Sequence, residues 1–177
     1  MAVNDRRPSL DLYPIALGAL GLLALVFLSA RNGAALIMCG LIFAGLVAGR
    51  LAGFSDRILV AVALGLVVIL WMVWIDPPAS SRRTSALAHG AGGALVGWAL
   101  CEYLRPRMRW PLWAIGALVL VVAMTLVWEL GELVADRAFE TALDPNPRDS
   151  AEDVFFGSLG GTAAIVVASL LAPVRRR

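Results

Sequence analysis

The chain has 177 residues, of which 60% are hydrophobic and 16% charged, with a formal net charge of +2. That is the length of one domain, but its composition is too apolar for a soluble one, and the apolar residues come in long runs. No basic stretch is interleaved with aromatic residues, which sets a nucleic-acid partner aside.

Six segments are long and apolar enough to be read as membrane spans, at about 14–30, 33–49, 58–75, 85–104, 110–134 and 154–173. The expected fold is therefore all-α: a single integral membrane domain over residues 1–177, a polytopic transmembrane helical bundle of about six spans. Only Arg31 and Asn32 separate the first two segments, so these should form a tight helical hairpin. Arg6 and Arg7 before an apolar run also resemble a secretory signal. Leu28-Ser29-Ala30 puts a large residue where a cleavage site wants a small one, so the first span is expected to be retained.

Arginine is the only basic residue besides His89, and with the enrichment in Ala, Val, Leu and Gly it suggests a GC-rich bacterial genome. Its placement sets the orientation. With the N-terminus inside, Arg6, Arg7, Arg50, Arg57, Arg105, Arg107, Arg109, Arg175, Arg176 and Arg177 are cytoplasmic, ten against the five at Arg31, Arg82, Arg83, Arg137 and Arg148. The expectation is N-in and C-in, multi-pass in the bacterial cytoplasmic (inner) membrane, with the loop at 135–152 outside.

Cys39 and Cys101 sit inside apolar runs with no metal or redox spacing and read as small buried hydrophobes. Small residues recur four apart at Gly45 and Gly49, Gly93 and Gly97, and Gly157 and Gly161, which suits close helix packing within the chain or, alternatively, a homodimer contact. The tryptophans fall mostly toward span ends, where they anchor at the lipid headgroups, and membrane lipids are the expected surroundings.

The candidate chemistry lies at the outer ends of the last three segments. Glu129, Glu132 and Asp136 are spaced i, i+3, i+7, a stripe roughly 60° wide on one helix. Such a stripe repels itself unless a cation, a metal or protonation compensates. Glu129 follows an uncharged run from Trp110 to Trp128, and a carboxylate so placed is a functional candidate, whereas Asp136 could be solvated at the interface. Asp149 or Ser150 reads as a helix cap, and Asp153 lies one turn deeper, on a face continuing into Phe156, Gly157 and Gly160. His89, the one histidine, falls about one turn below the outer surface and is either a structural residue or a ligand or proton carrier. Arg137 and Arg148 are nearby charge partners for the carboxylates, and Glu102 should pair locally with the arginines that follow it.

Several chemistries fail on residue types. There is no HExxH motif, a lone histidine cannot serve a two-histidine phosphatase, and Ser158 with His89 is a weak protease pair. Residues 144–155 begin like a calcium loop but lack its central glycine and closing glutamate.

The pattern of His89, Trp128-Glu129-x-x-Glu132-x-x-x-Asp136, Asp149-x-x-x-Asp153 and Gly157 to Gly161 resembles YjdF-like small multispanning bacterial membrane proteins and, more distantly, VanZ-like proteins. The resemblance covers about 88–172 and implies a helical bundle with polar residues near one membrane face, without a settled reaction. VanZ-like proteins carry Gln in the place of Glu132 and an arginine that Arg148 would supply. The resulting expectation is a cell-envelope membrane protein with an acidic pocket near the extracytoplasmic face. There Glu129, Glu132, Asp153 and His89 would hold a divalent metal cation or a cationic group. Three classes remain open: a binding protein, a metal-assisted enzyme on a lipid-linked or cell-wall substrate, and a small proton-coupled transporter.

Overall fold

A computed structural model describes residues 12–29, 33–75, 82–140 and 147–171. Six helices stand at the six apolar stretches: α1 (Leu12–Ser29), α2 (Gly33–Leu51), α3 (Asp56–Ile75), α4 (Arg82–Leu104), α5 (Leu112–Phe139) and α6 (Pro147–Leu170). The fold is all-α, with no strand among the described residues. Two helices, over Leu112–Ala138 and Arg148–Leu170, are long and apolar enough to cross a membrane.

Helix ends follow local chemistry more than hydropathy. The end of α2 is a Schellman motif: Phe54 N–H donates to Gly49 O at 3.0 Å and Gly53 N–H to Arg50 O at 3.1 Å. This needs the left-handed φ of 86° at Gly53, which a residue without Cβ adopts at no cost. α5 runs past the apolar stretch, through polar residues to Glu140, where φ of 52° ends it. α6 starts before the position expected for its cap. Pro147 is its first residue, so Asp149 and Ser150 lie inside the first turn and neither is the cap. Proline suits that position because its φ is preset and its missing N–H is not needed, and Asp149 there meets the positive end of the helix dipole. The preceding position, 146, is outside the described residues, as are the Arg6-Arg7 pair, Arg31 and Arg175 to Arg177.

The apolar core has two parts. One joins α1, α2 and α3 through Leu20, Phe27, Ile42, Leu46, Leu59 and Ala63, with Trp128 of α5 packed against it. The other joins α4, α5 and α6 through Leu100, Cys101, Trp113, Ala117, Val121 and Ile165. Cys39 and Cys101 are buried free thiols within these cores, as their surroundings suggested.

The most intimate contact is between α4 and α6, which run parallel. A Cβ at Gly97 would lie 2.7 Å from Gly161 O, and one at Gly93 or Gly160 would enter the carbonyl of Gly157 or Gly90. Backbone meets backbone here, which only glycine allows. Two of the three Gly-x-x-x-Gly pairs are thus used within the chain. In the third, Gly49 faces Leu59, whereas a Cβ at Gly45 would meet nothing within 4 Å. α5 runs antiparallel to this pair, and Thr125 packs on Gly157 and Val121 on Gly161.

Candidate functional site

The glycine contact sets the site's geometry. His89 precedes Gly90 by one residue, and Asp153 precedes Gly157 by one turn, so the close approach of the two backbones delivers both side chains to one place. His89 is seven residues from the start of α4, Asp153 six from the start of α6, and Glu129 ten from the end of α5. At about 1.5 Å per residue these are depths of roughly 9–15 Å from the same end of the bundle.

His89 lies between two carboxylates. Its Nδ1 is 3.1 Å from Asp153 Oδ1, and its Nε2 is 3.5 Å from Glu129 Oε1. Glu129 and Asp153 are 8% and 6% exposed, too little for water to solvate either as a free ion. One donor atom from each of His89, Glu129 and Asp153 falls within 4.8 Å of the others.

A hydrogen-bonded shell holds this group. Ser85 Oγ donates to Asp153 at 2.9 Å to Oδ1 and 3.1 Å to Oδ2. The His89 Nδ1 is 3.1 Å from the Ser85 carbonyl and 3.3 Å from its Oγ. A carbonyl and a carboxylate only accept, so Nδ1 carries a proton; Nε2 donates to Glu129 when the ring is an imidazolium and presents its lone pair there only when the ring is neutral.

Glu132, 4% exposed, sits one turn beyond Glu129 and accepts a 2.8 Å hydrogen bond from Trp128 Nε1. It is not one of the three grouped donors. Asp136 is half-buried a further turn out on α5 and is also outside that group. Arg148 is largely exposed and pairs with Glu152 at 3.3 Å. Ser158 Oγ is 3.4 Å from Thr125 Oγ1, not on His89. Glu102 forms the expected local pair with Arg105, at 3.7 Å.

Two participants were missed from sequence. Ser85 was read only as the edge of a span, although Ser85-x-x-x-His89 puts it on the histidine's own face. Trp128 was read as an interfacial anchor, yet it bonds Glu132 one turn away.

Comparison with known proteins found no matching family model, no similar curated protein and no similar solved structure.

Proposed function

We propose that the chain is a six-span protein of the bacterial cytoplasmic membrane, serving the cell envelope, that binds a divalent cation at an acidic site beneath the extracytoplasmic face. The apolar exterior supports the membrane setting. Leu22, Leu64, Leu87, Val119, Val127 and Leu130 are all more than half exposed, which water would penalise and lipid would not. Charge supports the orientation. Phe54 stacks on Tyr103 with centroids 4.2 Å apart, which brings the α2–α3 and α4–α5 turns to one end. Arg50, Arg57, Arg105, Arg107 and Arg109 gather there with Asp56 and Glu102, and the start of α1 joins them where Arg50 covers Tyr13. Counting Arg6, Arg7 and Arg175 to Arg177 in the sequence that leads into α1 and follows α6, this end has ten arginines against five, which makes it the cytoplasmic one by the positive-inside rule. The resemblance to YjdF-like and VanZ-like proteins rests on the motif residues alone.

The observation that carries the cation reading is the contact between His89 Nε2 and Glu129. At 3.5 Å it is longer than a good hydrogen bond, which is about 2.7–3.2 Å. It matches the separation of two ligands on one ion: bonds of about 2.0–2.2 Å at a tetrahedral angle put nitrogen and oxygen about 3.4 Å apart. His89 Nε2 and Glu129 then supply ligand atoms, and Glu132 adds negative charge one turn away. Asp153, fixed by Ser85, acts through Nδ1–H by holding the ring's tautomer and orientation. One imidazole with carboxylates suits Zn²⁺, Fe²⁺ or Mn²⁺ better than Ca²⁺, which takes six to eight oxygens.

The test is metal content and affinity in detergent-purified protein. Wild type should load stoichiometrically. Glu129→Gln should lose the ion while keeping its melting temperature, because shape is preserved and a buried charge removed. Asp153→Asn should still bind, about 10–100-fold more weakly. Wild-type metal content in Glu129→Gln would overturn the reading. So would a large fall in its melting temperature with no metal in either protein, because the glutamate would then only close a structural ion pair.

A further inference from the structure

The arginine-rich end carries a second feature. The start of α5 and the end of α6 flank an open, shallow groove of about 340 Å³ with walls that include Trp110, Ile115, Leu118, Ile165, Val166 and Leu170. From Trp110 to Leu118 it follows α5 for roughly 12 Å. Two hydroxyls reach it, but both are already used within their own helix: Thr162 donates to Ser158 O at 2.7 Å and Ser169 to Ile165 O at 2.8 Å. The groove offers hydrocarbon and almost nothing polar along its length.

Its mouth is different. Trp110 is 70% exposed there, and Arg109 immediately precedes it. Arg105 is engaged with Glu102 and lies over Trp113, and Arg107 donates to Tyr103 O and covers that ring. Arg109 is exposed and forms no ion pair with any described residue. The first amides of α5 beside it are closed on backbone, with Trp113 N–H donating to Arg109 O at 3.2 Å and those of Ala114 and Ile115 to Pro111 O at 3.0 Å, so the free charge at this spot is the Arg109 side chain.

We propose that this groove seats an acyl chain of an anionic phospholipid whose phosphate pairs with Arg109. An apolar slot with a basic mouth complements a lipid that carries negative charge at its head. The cytoplasmic leaflet is where such lipids are encountered. The inference rests on the membrane-spanning reading and is independent of the cation site.

The experiment is lipid titration of the delipidated full chain followed by native mass spectrometry, with phosphatidylglycerol against phosphatidylcholine. Wild type should bind phosphatidylglycerol more tightly. Arg109→Gln, an exposed change that leaves the groove intact, should reduce that preference about fivefold, the worth of one arginine at an anionic surface. Val166→Trp, which fills the groove from a half-exposed wall, should reduce binding of both lipids. Equal binding of the two lipids by wild type would overturn the proposal with the membrane reading untouched. A dimer that Val166→Trp dissociates would also overturn it, because a second copy would then occupy the groove. Recovery of the folded chain without detergent would overturn the membrane reading, and the lipid proposal with it.

Discussion

Replacing Gly93 or Gly97 by alanine should loosen the α4–α6 contact and the site together. At Gly97 the new Cβ would lie 2.7 Å from Gly161 O and 2.9 Å from its Cα. Ordinary carbon contacts begin at about 3.5 Å, so the helices must part by roughly 0.5–1 Å, which forfeits a quarter to a half of the local dispersion energy. The obstruction is backbone and cannot rotate away. Overpacking of this kind costs about 1–3 kcal/mol, and at Gly93 the clash is deeper, so the upper figure applies. Alanine's better helix propensity returns at most about 1 kcal/mol. Gly40→Ala is the control, because a Cβ there meets nothing within 4 Å. Melting in detergent should place Gly93→Ala below wild type and Gly40→Ala level with it or above. Separation should also stretch the 3.1 Å contact of His89 with Asp153 past hydrogen-bonding range, so metal affinity should fall in the same variant. A Gly93→Ala protein that melts with Gly40→Ala and binds metal like wild type would refute the close-packing account of the site.

Ser85→Ala removes the hydroxyl that donates to Asp153, and should cost about 1–3 kcal/mol, seen as a lower melting temperature and weaker metal binding. Unchanged behaviour of both would remove Ser85 from the shell. Cys39 and Cys101, 2% and 0% exposed, should resist a maleimide in folded protein and react on denaturation. In a background lacking both, single cysteines at positions 80 and 146 should label with an impermeant reagent in intact cells. Labelling only after lysis would reverse the orientation.

Helix existence was legible because apolar runs as long as 110–134 leave the backbone few other ways to satisfy its own hydrogen bonds. The candidate residues were legible for a related reason: Glu129, Glu132 and Asp153 are acidic groups beside apolar sequence, where a solvated role is costly. Even the local pair of Glu102 with Arg105 follows from an i, i+3 spacing. Helix ends were less legible. Pro147 and Asp149 extend α6 into polar sequence through φ and dipole effects that a hydropathy pattern does not register.

Only the tertiary structure decided how these residues meet. Depth along a helix can be counted from sequence, but rotation about its axis relative to a neighbour cannot, because it depends on which faces pack. Gly93 on Gly157 and Gly97 on Gly161 fix that rotation for α4 and α6. It then follows that Asp153 takes Nδ1 and Glu129 faces Nε2, and that Ser85 joins them. Glu132 and Asp136 share Glu129's stripe yet stand outside the three-donor group, because Glu132 is turned to Trp128 Nε1 and Asp136 lies seven residues, about 10 Å, farther along the axis.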